Sequence, residues 1–112
     1  MDAKSIYWSA LDVYGLKNQL LVAIEECSEL QKEITKVLRV DPTQAEVAHL
    51  SEEIADTEIM LEQLQEFFSL HHKVTEIRGM KLERLEKRIA RDRARVDEIH
   101  DMLGPFDKGE RA

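Results

Sequence analysis

Residues 16–39 read LKNQLLVAIEECSELQKEITKVLR, and residues 43–69 read TQAEVAHLSEEIADTEIMLEQLQEFFS. In the first stretch Leu16, Leu20, Ala23, Cys27, Leu30 and Ile34 recur at helical spacing. In the second, Val47, Leu50, Ile54, Leu61 and Phe68 do the same. Each stretch therefore predicts a long amphipathic helix. Val40-Asp41-Pro42 interrupts them, with Asp41 suited to an N-cap and Pro42 to a first helical position. Working outward, residues 3–14 predict a short helix stopped by Gly15. Residues 72–103 predict a fourth, in which Leu82, Leu85, Ile89, Val96, Ile99 and Leu103 keep heptad spacing and Asp92 interrupts. Gly79 either kinks that helix or marks its start. Gly104-Pro105 ends it. No stretch alternates apolar with polar residues while being rich in β-branched or aromatic ones, so strands are not expected. The reading is all-α, four helices in one domain over 1–103, with a C-terminal tail over 104–112.

The net charge of −7 speaks against a general nucleic-acid or membrane-surface binder, because phosphate-rich surfaces attract basic proteins. It does not exclude a small phosphorylated substrate held through metal. The single Cys27 allows no internal disulfide. No apolar run approaches the ~20 residues that span a bilayer, and no signal-peptide layout opens the chain. The expectation is a cytoplasmic protein. A chain of 112 residues buries a limited core, so self-association would help cover its apolar faces.

Acidic residues carry the chemistry. Glu26 and Glu29 lie at i and i+3 on the second helix, Glu53 and Asp56 at i and i+3 on the third. At about 100° per residue, with Cys27 as zero, Glu26 and Glu29 fall near −100° and −160°. With Ile54 as zero, Glu53 and Asp56 take the same two angles. Antiparallel packing of the two helices brings the four carboxylates together at the border of the core. A single such pair is usually just a solvated helix face. Two pairs at matching angles, on helices joined by a short turn, are better explained by a shared task. Crowded carboxylates repel and drive protonation. A hard cation resolves the conflict, and oxygen-only ligands favour Mg2+ or Mn2+ over zinc or copper.

The run AIEECSELQKEITKVLR followed by HLSEEIADTEIMLEQL resembles the MazG-like all-α nucleoside triphosphate pyrophosphohydrolases, which carry ExxE, a spacer and ExxD. Here the pairs are separated by 23 residues. The resemblance spans about residues 14–90 and is strongest in 22–64. It implies a four-helix, oligomeric fold, most often a dimer or a tetramer built as a dimer of dimers. It also implies magnesium-dependent cleavage of a (deoxy)nucleoside triphosphate to monophosphate and pyrophosphate. Glu26, Glu29, Glu53 and Asp56 would be the metal ligands. Glu25, one residue earlier, is the candidate accessory ligand or water-orienting group.

A basic cluster stands out in this acidic chain: Lys81, Arg84, Lys87, Arg88, Arg91, Arg93 and Arg95. Ordinary surface pairing, such as Glu83 with Lys87, accounts for about half of it. Lys81, Arg84 and Arg88 share a face, and KLERLEKR is similar to the family's Lys-to-Arg segment that meets substrate phosphates. Leu85 stands where the family often has Asn. Trp8 offers a flat indole for base stacking beside a commoner packing role. Gln19, with Asn18, could hydrogen-bond a base or sugar. His49, His71, His72 and His100 form no metal spacing, and Cys27 reads as a buried core residue. Two alternatives stand beside the hydrolase: a non-catalytic helical coiled-coil adaptor, and a phosphoribosyl-ATP pyrophosphohydrolase-like enzyme.

Overall fold

The computed structural model describes residues 1–39 and 42–104, and these form four α-helices with no strand among them. Helix α1 (Ala3–Tyr14) begins where the Asp2 carboxylate accepts from the Ser5 amide at 2.8 Å. It ends at Gly15, whose φ of 84° lies in the left-handed region that a residue without Cβ enters at little cost. The Gly15 carbonyl then accepts from the Gln19 amide at 3.1 Å, so one residue closes α1 and opens α2 (Leu16–Val37).

Helix α3 (Gln44–Phe67) starts with a capping box. Thr43 Oγ1 accepts from the Glu46 amide at 3.2 Å, and Glu46 Oε2 accepts from the Thr43 amide at 2.9 Å. The suggested N-cap at Asp41 with Pro42 as first helical residue is corrected accordingly: Thr43 is the N-cap, and the reciprocal Thr43–Glu46 pair satisfies two backbone amides. Asp41 lies outside the described residues, as do Pro105 and the rest of the tail beyond it. Arg39 reaches Glu46 at 3.2 Å and ties the two ends of the connection together. After α3, Ser69 adopts φ 55°, and Leu70 donates to the Gln65 carbonyl at 2.8 Å to turn the chain.

By its internal contacts the chain divides into two compact units, Met1–His71 and the residues from His72 on. In the first, α2 and α3 form the principal contact and α1 touches both. The pairs Gln19–Gln63, Thr57–Glu26 and Arg39–Glu46 show that α2 and α3 run antiparallel. Tyr7 donates to the Glu62 carboxylate, and Trp8 Nε1 to Glu66 Oε1 at 2.8 Å, which pins α1 to α3. The hydroxyl of Tyr7 is pushed up to about 12, first because it donates to Glu62.

The helices meet through a face rotated from the predicted apolar stripe toward its acidic flank, with Ala23 the one stripe residue that is buried. Buried on α2 are Gln19, Ala23 and Glu33; buried on α3 are Thr57, Met60 and Gln63. Cys27 is exposed, which corrects its expected place in the core. Leu16, Ile34, Val47, Ile54, Leu61 and Phe68 are also largely exposed. Periodicity identifies an apolar face but does not name the element that covers it. The second unit consists of α4 (His71–Leu103), which runs through Gly79 without a break. No residue of α4 is buried, and its heptad row is open.

Replacing the capping residue tests the local account. Thr43→Ala should lower unfolding stability by about 1 kcal/mol, read as a lower denaturant midpoint, with helix content unchanged in the native state.

Candidate functional site

The register of α2 against α3 decides which side chains meet. Thr57 Oγ1 donates to the Glu26 carbonyl at 3.3 Å, fixing α3 one turn beyond Glu53 against the middle of α2. As a result one carboxylate oxygen from each of Glu26, Glu53 and Asp56 lies within 4.8 Å of the others. Glu26 and Glu53 are half-buried and Asp56 is exposed, so the cluster opens to solvent on one side. Glu29 is half-buried one turn after Glu26 and stays outside this group of three. Glu25 is exposed on the flank of α2.

Electrostatics follow from the crowding. The carboxyl of Glu26 is held above its ordinary range, first by desolvation, then by sharing a proton with Glu53 and by repulsion from Asp56, Glu53 and Glu25. Glu53 Oε2 is sealed from solvent and has no hydrogen-bond partner. A sealed carboxylate oxygen calls for a proton or a cation. The donor set is oxygen only, which suits a hard divalent cation. Glu26, Glu53 and Asp56 can thus hold a metal ion.

Two further buried groups were not singled out in the sequence. Glu33 is buried with one oxygen 3.0 Å from Lys36 Nζ and the other sealed without a partner. It lies seven residues after Glu26, on the same face of α2. Gln63 pairs with Gln19 at 2.7 Å in the interior. The two amides lie seven residues before Glu26 and seven after Asp56, a mirrored spacing that an antiparallel pair turns into a contact.

The other expected substrate groups are placed as follows. Gln19 is buried between α2 and α3. Trp8 has its N–H committed to Glu66 and its ring tilted 59° against Phe67 at a centroid distance of 5.6 Å, with 43% of its surface open. In the α4 unit, Lys81, Arg84 and Arg88 line one shallow surface together with Leu85. Glu83 and Lys87 make the expected i,i+4 pair at 3.5 Å. No helix among the described residues is long and apolar enough to cross a membrane.

No protein-family model, curated protein or solved structure matches this chain.

The Glu26 environment sets a pH dependence. A carboxyl whose folded value is raised stabilises the fold below its unfolded value, and that contribution is lost as pH rises through the folded value. Asp2 and Glu66, whose carboxyls are lowered, act in the opposite sense, so the group is isolated by difference. In metal-free buffer the melting temperature of Glu26→Gln relative to the parent should rise as pH climbs from below the ordinary carboxylate range toward neutrality. A difference that stays constant or shrinks over that window contradicts the assignment.

Proposed function

We propose that this chain is a magnesium-dependent pyrophosphohydrolase that cleaves a (deoxy)nucleoside triphosphate to the monophosphate and pyrophosphate. The observation that carries the reading is the meeting of Glu26, Glu53 and Asp56 from two helices, with Glu53 Oε2 sealed and unpartnered. The acid pairs that resemble the MazG-like motif supply these same residues.

In this reading Glu26, Glu53 and Asp56 hold Mg2+, with Glu29 completing the set from the next turn of α2. Bound Mg2+ polarises phosphoryl oxygens and lowers the pKa of a bound water. Glu25, on the exposed flank, orients the attacking water. Lys81, Arg84 and Arg88 supply three cations on one face of α4, the charge that the outer phosphates of the substrate require as pyrophosphate departs. The protein works as a homo-oligomer, a tetramer built as a dimer of dimers, in the cytoplasm. The exposed Leu16, Ile24, Ile34, Val47, Ile54 and Leu61 support this assembly, because a face of that size is rarely left to water. Closed two-fold pairing is the commonest way to cover one.

A second reading, a non-catalytic coiled-coil adaptor, draws on one observation: α4 keeps a heptad row and buries none of it.

Two measurements decide between them. Pyrophosphate release from mixed triphosphates should require Mg2+ and drop to background in Glu53→Gln, with helix content preserved. Normal turnover in a folded Glu53→Gln protein removes the carboxylate site from the mechanism. Light scattering at micromolar concentration should give a mass near four times 13.0 kDa. A fully active monomer contradicts the assembly.

A further inference from the structure

A cavity of about 590 Å3 is lined by residues of α1, α2 and α3, among them Tyr14, Asn18, Gln19, Val22, Glu25 and Gln63. Its polar wall has a direction. Met60 Sδ can only accept, and it takes a hydrogen bond from Gln63 Nε2 at 3.6 Å. Gln63 Oε1 is thereby turned to Gln19, whose Nε2 donates to it at 2.7 Å. The two amides form a relay that leaves the carbonyl Oε1 of Gln19 as its outward atom. Gln19 is only 6% exposed. Yet Oε1 is not among the sealed polar atoms that lack a partner, which are confined to Glu33, Glu53 and His100 among the described residues. No described residue donates to it, so it keeps some contact with solvent, and Gln19 is among the residues that line the cavity.

Asn18 repeats the pattern. Its Nδ2 donates to the Tyr14 carbonyl at 2.8 Å, and no described residue donates to its Oδ1. Glu25, next to Glu26 in sequence and assigned above to the attacking water, also lines the cavity. Tyr14 and Val22 contribute apolar surface. The cavity lining thus combines apolar surface with hydrogen-bond acceptors. A planar ring bearing an exocyclic amino group satisfies both. A ring carbonyl at the same position sets oxygen against oxygen and leaves Gln19 Oε1 desolvated without a donor. Gln19 precedes Glu26 by seven residues, two turns or about 10 Å along α2, which is the scale of the reach from a nucleobase to its α-phosphate.

We infer that this cavity is the base subsite, and that it selects amino-bearing bases, cytosine or adenine, over uracil or thymine. The inference rests on the pyrophosphohydrolase reading for the position of the phosphates. It concerns different residues from those that would hold the metal.

The decisive comparison is dCTP against dUTP, which differ at ring position 4 by an amino group or an oxygen. Hydrolysis should favour dCTP by at least about tenfold in kcat/KM, and dATP over dITP likewise. Calorimetric titration of dCMP and dUMP, with magnesium present, should show the same order in affinity. Gln19→Met should bring dCTP down to the level of dUTP. If that variant fails to fold, Asn18→Leu, at an exposed position, should narrow the preference in a folded protein. Hydrolysis of both triphosphates with equal kcat/KM overturns the base assignment and leaves the hydrolase standing. Preferential binding of dCMP without hydrolysis of any triphosphate upholds the cavity and overturns the hydrolase. Absence of both binding and hydrolysis overturns the two together.

Discussion

The antiparallel contact of α2 with α3 is the constraint on which the first unit depends, and it is a polar contact. Its buried members include Gln19, Glu33, Thr57 and Gln63 beside Ala23 and Met60. Buried polar groups specify one register because only that register satisfies them. The Gln19–Gln63 pair and the Thr57 hydroxyl on the Glu26 carbonyl are such restraints, 2.7 and 3.3 Å long. A slip of α3 by one residue rotates its side chains by about 100°. That separates the amides and disperses Glu53 and Asp56 from Glu26 in the same motion.

The pairing is costly, and the cost is localised. Glu33 and Glu53 each keep a sealed oxygen with no donor, and desolvation and neighbouring carboxylates hold Glu26 above the ordinary carboxylate range. Against this, the buried apolar residues of the described chain are only Tyr7, Ala23 and Met60. An isolated unit with so little core would be marginal. Apolar side chains on the open stripe are the obvious reserve of stabilisation, at roughly 25 cal/mol per Å2 withdrawn from water. This imbalance is the physical ground for the proposed self-association, and it is independent of any family resemblance. The charge distribution adds a second constraint. Acidic residues crowd the α2–α3 pair, while Lys81, Arg84, Lys87, Arg88, Arg91, Arg93 and Arg95 concentrate on α4. Two copies of α4 packed along their heptad rows would set Arg88 and Arg95 beside like charges, which disfavours that pairing.

Much of the fold was legible because helix ends are local chemistry. Gly15, Gly104 and the heptad row of α4 each act within a turn or two of themselves, and the observed helices fall within about two residues of the expected bounds. The start of α3 near Thr43 was legible, but its cap was assigned to Asp41 and Pro42 because these and Thr43 are all good opening residues. Only the reciprocal bond from Glu46 distinguishes them. The meeting of Glu26, Glu53 and Asp56 was legible from angular position, although Glu29 stays outside it and the contact is rotated from the apolar stripe toward the acid-bearing flank. The places of Cys27 and Trp8 could not be read from sequence. Each depends on which neighbour covers a face, and for Trp8 the deciding partner, Glu66, is 58 residues away.

The same register also explains why an amide pair and an acid cluster occur on one helix pair. In antiparallel helices, residues equally spaced from a contact point in opposite directions face each other. Gln19 stands seven residues before Glu26 and Gln63 seven after Asp56, so once the acids are opposed the amides must be opposed as well. Seven residues return close to the same helix face, which puts both sites on the buried seam. The two sites differ in how they are satisfied. At the acid end the charges have only one another, which leaves an open demand for a cation. At the amide end the chain Gln19, Gln63, Met60 ends on a sulfur that can only accept, so the demand is passed outward to a single carbonyl oxygen. In the proposed reading, one face of α2 therefore offers acceptors for a cation at Glu26 and for an N–H donor at Gln19, two turns apart. A magnesium-bound nucleotide with an amino-bearing base is a small molecule that meets both.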